Sequence, residues 1–280
     1  MVKSTVALLV TMLGTVVMGL PAIAQPELEF NSQTPSFEDS LSLGNIRVQV
    51  NYEASETLFE SDVNYILYYQ DQAQLQEQRS EFMLGKIWLQ DLTGDDNAEV
   101  IVETYSGGAH CCTSHEVYTW TGEEFEEIDF GYRDGNGGEF QDLDNDEVFE
   151  YLTFDGAFLY AFSSYAGSFP PSQILRIGNN GLEDVTREYP ERLRGTAWQM
   201  YQSIQSRDYE LNGILAGYVA QKMLLGEFEE GWEFMLARYD RTSDQGLDIR
   251  NSKGEVIGQY PDFPTALRAF LTENGYFLSP

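Results

Sequence analysis

Two short acidic runs carry the side chains best suited to chemistry. Asp91-Leu92-Thr93-Gly94-Asp95-Asp96-Asn97-Ala98-Glu99-Val100 recurs 51 residues later as Asp142-Leu143-Asp144-Asn145-Asp146-Glu147-Val148-Phe149-Glu150-Tyr151. Calcium takes roughly six to eight hard oxygens at about 2.3–2.6 Å, and side chains at alternate loop positions converge on one ion while a backbone carbonyl fills a gap. The first loop offers Asp91, Thr93, Asp95, the carbonyl of Asn97, and Glu99. The second offers Asp142, Asp144, Asp146, the carbonyl of Val148, and Glu150. A helix–loop–helix calcium hand fits poorly: Asp96 and Glu147 stand where it needs Gly, and Val102 and Thr153 where it needs Glu. The competing expectation is a pair of acidic turns whose Asp side chains cap nearby backbone N–H groups without metal. Recurrence at matching positions favours metal at the second loop and leaves the first evenly balanced.

A second cluster is Gly107-Gly108-Ala109-His110-Cys111-Cys112-Thr113-Ser114-His115, which contains both cysteines and both histidines of the chain. In an oxidising compartment adjacent thiols pair into a ring across one peptide bond, and the glycines supply the backbone freedom for a tight loop. Two thiolates and two imidazoles also match zinc or copper by type. The spacing argues against metal, because structural zinc sites separate their cysteines by about two to four residues. A disulfide between Cys111 and Cys112, or packed thiols, is the preferred expectation. A metal site built from His110, Cys111, Cys112 and His115 is the alternative. The Cys-x-x-Cys spacing of thiol oxidoreductases is absent.

The runs Asp-Leu-Thr-Gly-Asp-x-x-x-Glu-Val and Asp-Leu-Asp-Asn-Asp-x-x-x-Glu-Tyr resemble the FG-GAP type repeats of integrin-like β-propellers, over roughly residues 85–186. The resemblance implies loops that join neighbouring antiparallel strands and commonly hold calcium. It implies a weaker site in the first loop, where Thr93 replaces a carboxylate or amide. Two repeats fall short of a closed propeller, which needs at least about four blades. Leu225-Gly226-Glu227-Phe228-Glu229-Glu230-Gly231-Trp232 resembles part of one tetratricopeptide unit. One such unit cannot bury its own face, so a helical hairpin packed on the β domain is expected.

The elements that must position these loops are legible in the periodicity. Ile46–Val50 alternates apolar and polar residues, and residues 63–69, 86–89, 100–104 and 116–120 are β-branched or aromatic runs between turn signals. Thr121-Gly122 and Asn179-Asn180-Gly181 mark hairpin turns. After Arg187 the period changes to that of helices, with apolar faces at Leu193, Ala197, Met200, Tyr201 and Ile204; at Leu211, Ile214, Leu215, Tyr218 and Val219; and at Phe228, Trp232, Met235, Leu236 and Tyr239. Residues 247–260 form a hairpin turning at 251–254, and Asp262-Phe263-Pro264 opens a last helix that Gly275 ends. The fold class expected is α+β: a signal peptide at 1–24, a polar tether at 25–44, an antiparallel, partially propeller-like β-repeat domain at 45–186, and a mainly helical domain at 187–280.

Lys3, the apolar run Val6–Leu20, Pro21 and Ala22-Ile23-Ala24 ahead of Gln25 have the order of a secretory signal peptide. The mature protein is therefore expected in the periplasm or outside the cell, with no membrane span. A net charge of −30 excludes nucleic acid and anionic lipid as partners, since phosphate binding needs clustered Lys and Arg. An aromatic content of 14% excludes disorder. No phosphate loop, His-Glu-x-x-His or nucleophile elbow is present. These features favour a non-catalytic, calcium-loop-containing binding or scaffold module of the cell envelope, with a protein or glycan ligand. The alternative is a metal-handling or thiol-based enzyme centred on His110, Cys111, Cys112 and His115.

Overall fold

A computed structural model describes residues 25–55, 61–178, 181–207 and 209–277. The signal-peptide segment and the Asn179-Asn180 part of one turn lie outside the described residues. The first half is antiparallel β throughout. Strands β2 (Phe37–Leu43), β3 (Ile46–Glu53), β4 (Ser61–Tyr69) and β5 (Gln72–Phe82) form one sheet in that order. A second has the order β1-β6-β7-β8-β9, from β1 (Glu27–Asn31), β6 (Leu84–Gln90), β7 (Glu99–Tyr105), β8 (Cys111–Trp120) and β9 (Phe125–Asp134). The third runs β10 (Glu139–Gln141), β11 (Glu150–Phe154), β12 (Ser172–Gly178) and β13 (Gly181–Asp184).

The sheets stack, and the side-chain period of two explains how. In β7 Val100 and Val102 face the first sheet, packing with Val48, Val50, Tyr65 and Leu67, while Ile101 faces the third, packing with Tyr151 and Leu175. A strand buried on both faces must be apolar at consecutive positions, which accounts for the run Val100-Ile101-Val102. Each such side chain contributes on the order of 1.5–3 kcal/mol by leaving water. The first two sheets are also tied by the Tyr65 and Tyr118 hydroxyls, 2.9 Å apart, with the Arg79 guanidinium donating to Tyr118 at 2.8 Å. Among the described residues the sheets form a stack of three, without closure into a ring.

Residues 25–44 are not a tether. β1 pairs with β6 from Glu27↔Trp88 to Asn31↔Leu84, and β2 pairs with β3 along its length. Both are edge strands that bury few side chains, chiefly Phe30 and Leu41, so their composition reads as polar although each is paired along its length on one side.

The second half is helical: α1 (Pro190–Ser206), α2 (Leu211–Leu224), α3 (Phe228–Leu236), the hairpin β14 (Asp248–Arg250) and β15 (Val256–Gln259), and α4 (Phe263–Glu273). Helix α2 is buried on nearly every side and forms the axis of this half. Its core reaches back past the expected boundary. Phe158 and Phe162, from the segment between β11 and β12, pack edge-on against Phe270, with centroids at 4.9 and 5.3 Å, and Phe162 packs on Phe263 at 5.1 Å. Among the described residues no helix is long and apolar enough to cross a membrane.

Candidate functional site

The repeated acidic loops connect β6 to β7 and β10 to β11, and they share one hydrogen-bond plan. In the first, Asp91 Oδ1 accepts from Gly94 N at 2.8 Å and Oδ2 from Asp96 N at 3.0 Å; Asp95 Oδ1 accepts from Asn97 N at 2.8 Å. In the second, Asp142 Oδ1 accepts from Asn145 N at 2.7 Å and Oδ2 from Glu147 N at 3.2 Å; Asp146 Oδ1 accepts from Val148 N at 2.9 Å. Positive φ falls at equivalent places, Gly94 and Asp96 against Asn145 and Glu147. The loops lie side by side, Phe149 N donating to Leu92 O at 2.9 Å.

The final acid of each loop has a separate task. Glu99 Oε2 accepts from Leu92 N at 2.6 Å and Glu150 Oε2 from Leu143 N at 3.1 Å, so each buried carboxylate anchors the second residue of its own loop. Burial pushes Glu99 up to about 7. Glu150 Oε1 has no hydrogen-bond partner although the residue is fully buried. What the second loop gathers is Asp142, Asp144 and Asp146, whose oxygens lie within 4.8 Å of one another. Desolvation first, then the like charges of Asp146 and Asp142, raises Asp144 above the ordinary carboxyl range. In the first loop Thr93 stands at the position of Asp144, and no equivalent trio of acids forms there among the described residues.

The His–Cys cluster does not converge on one point. The sulfurs of Cys111 and Cys112 face each other across a cis peptide bond at the start of β8. Ser106 holds the loop closed: its Oγ accepts from Cys112 N at 2.9 Å and its N–H donates to Cys112 O at 3.0 Å. A Cβ on Gly108 would fall 1.9 Å from Cys111 O, so only glycine fits there. His110 is exposed and stacks on Tyr165, centroids 3.9 Å apart. His115 points the opposite way, into the core between the second and third sheets. Its Nε2 lies 2.8 Å from Glu103 Oε2 and its Nδ1 3.0 Å from the Tyr151 hydroxyl. With His110 at the surface and His115 in the core, the four side chains are not gathered into a zinc or copper ligand set.

Next to the cluster, though not lined by it, lies a cavity of about 460 Å³ between the third sheet and α1. Asp134 lies opposite Cys111 in the β8–β9 register and accepts from the Tyr165 hydroxyl. The loop Gly135-Asn136-Gly137-Gly138 lies directly on the His115–Tyr151 pair: a Cβ on Gly138 would meet the Tyr151 ring at 2.6 Å. Glu139, Thr153, Arg192 and Thr196 complete the polar lining, with Leu152 and Ile174 supplying apolar surface. Sequence reasoning missed this cavity. The one local signal was the glycine-rich run 135–138, since Arg192 and Thr196 arrive from the helical half.

Residues 193–275 match the family model described as the sll0997 C-terminal domain. The chain is 36% identical over 270 residues to the probable thylakoid lumen protein sll0997 of Synechocystis sp., covering 88% of this chain and 78% of that protein. It is 31% identical over 202 residues to the uncharacterized protein y4bJ of Sinorhizobium fredii, covering 68% of this chain but 31% of that protein, and so spans under a third of that relative's length. No solved structure matches the chain.

Proposed function

The chain belongs to the sll0997 family, and on that premise we propose that it is an exported, non-catalytic binding or scaffold module of the cell envelope or lumen, its acidic loops holding calcium. The description of the Synechocystis relative as a lumen protein supports a lumenal, periplasmic or extracellular address for this chain. The order of residues at 1–24 supports export.

The observation that carries the calcium reading is the trio Asp142, Asp144 and Asp146. Three hard carboxylates within 4.8 Å repel one another, and a divalent cation relieves that repulsion while accepting their oxygens. Asp142 and Asp146 can bind while keeping their backbone hydrogen bonds, because a carboxylate has about four lone-pair sites. Bound there, the ion would supply structural cross-linking of the turn. The FG-GAP resemblance supports the same assignment, and the first loop, with Thr93 in place of an acid, would bind more weakly. The disulfide between Cys111 and Cys112 fits an oxidising compartment.

Calcium titration with thermal melting tests the reading. Calcium at a hundredfold excess over Kd should stabilise the protein by about 2.7 kcal/mol. Asp144 is exposed and accepts none of the loop hydrogen bonds that Asp142 and Asp146 accept, so Asp144→Ala should lose that response while melting at the same or a higher temperature in chelator. A wild-type protein indifferent to millimolar calcium would overturn the assignment.

A further inference from the structure

We infer that the cavity between the third sheet and α1 is a binding site for a neutral saccharide of about two rings. The inference names the ligand class of the binding-module reading and rests on that reading only for the exported setting; the calcium loops are not part of this site.

The lining decides the class. Its volume of about 460 Å³ lies within the roughly 300–1,000 Å³ typical of small-molecule sites. Its unengaged polar groups alternate in kind: the Glu139 carboxylate accepts, the Arg192 guanidinium donates, and the Asn136 amide does both. None of these three side chains makes a hydrogen bond or ion pair among the described residues. Asp134 and Glu139 would repel an anion, as would the field of a chain at −30, while Arg192 offsets one of the two acids. An uncharged ring of hydroxyls, each able to donate and accept, matches a wall of mixed donors and acceptors.

The lip adds the second requirement of sugar binding, a flat apolar face. Tyr165 lines the cavity, fixed by its bond to Asp134 and its stacking on His110. Tyr160, from the wall of a neighbouring cavity, lies 5.6 Å from it, centroid to centroid, with 58% of its surface exposed. A pyranose presents a C–H face that packs on such rings while its hydroxyls turn to the polar groups. The Cys111–Cys112 loop and the buried His115–Tyr151 pair thus serve as supports: they hold His110 behind Tyr165 and hold the loop 135–138 in place. The exposed turn residue Asn136 and the first-turn helix residue Arg192 face one ligand from opposite halves of the molecule.

Titration of the uniformly 15N-labelled protein tests this with cellobiose, maltose and N,N′-diacetylchitobiose as probes, and glycylglycine and inorganic phosphate as comparators. At least one disaccharide should produce saturable shifts at the amides of residues 135–138 and 153. Asn136→Ala and Arg192→Ala are exposed changes that should leave the melting temperature unaltered and weaken binding about tenfold. Saturation of the same amides by glycylglycine or phosphate in place of the sugars would overturn the inference. So would silence of these amides toward all three disaccharides, or unchanged affinity in both variants. Because the calcium-dependent melting of the same samples is read separately, loss of one result leaves the other standing.

Discussion

Glu150 places one carboxylate oxygen on the Leu143 amide, and the Tyr189 hydroxyl beside that carboxylate is pushed above its ordinary range by burial first and then by its interaction with Glu150. Its value to the fold therefore lies in accepting one N–H. Glu150→Gln keeps a carbonyl oxygen for Leu143 in a side chain of the same shape, so its calcium-free stability should stay within about 1 kcal/mol of the parent. Glu150→Leu strands the amide and should cost roughly 1–3 kcal/mol in urea titration. Equal losses in the two variants would show that the carboxylate charge itself is needed. The acids at alternate loop positions were legible because a repeat at fixed offset is visible in one dimension. The division of labour was not: whether an acid points outward, as Asp144 does, or anchors a backbone amide, as Glu99 and Glu150 do, depends on which face of the following strand is buried. The same limit applies to His115, whose partners Glu103 and Tyr151 come from other strands.

Elements with one buried face were readable throughout. β3 buries Ile46, Val48, Val50 and Tyr52 and leaves the residues between them less covered, and α1 buries the predicted Leu193, Ala197, Met200 and Ile204. β1, β2 and β5 were missed because an edge strand needs backbone pairing more than apolar side chains; β5 is rich in Gln and Glu, yet it ladders along β4. Helix α4 starts where its cap residue said it would. Asp262 Oδ1 accepts from Thr265 N at 2.9 Å and from Thr265 Oγ1 at 2.7 Å, and these bonds hold its carboxyl below the usual range, the hydroxyl contributing most. A carboxyl depressed in the folded state stabilises the fold above the ordinary Asp range and loses that contribution as pH falls through it. Asp262→Ala should therefore cost about 1 kcal/mol near neutral pH. The gap to the parent should narrow on acidification, which melting curves across pH will record; a pH-independent gap would assign the loss to packing.

At the scale of the whole molecule the two halves share residues across the boundary suggested by periodicity. Phe158 and Phe162 complete the helical core, the Tyr276 hydroxyl donates to Asp155 Oδ2 at 2.8 Å, and Gln221 on α2 accepts from Ser172 N at 2.9 Å and donates to Leu193 O at 3.0 Å. Residues 193–275, though recognisable as a family unit, thus omit part of their own core. That fragment alone should melt without cooperativity and show collapsed amide dispersion, and a fragment beginning at residue 155 should recover both. A cooperative transition in 193–275 would refute the shared core.

The place of β1 has a temporal consequence. Its partner is β6, so Phe30 waits for Gly85 and Glu27 for Trp88 before either can pair. Everything between them, the whole four-stranded sheet β2–β5, is built of hairpins between sequence neighbours and can form first. The chain's opening strand is therefore a late joiner, closing a loop of long contact order over a sheet already made. A protein leaving the cytoplasm leading end first would keep that strand unpaired, and its backbone free to be threaded, until the sixth strand follows it across.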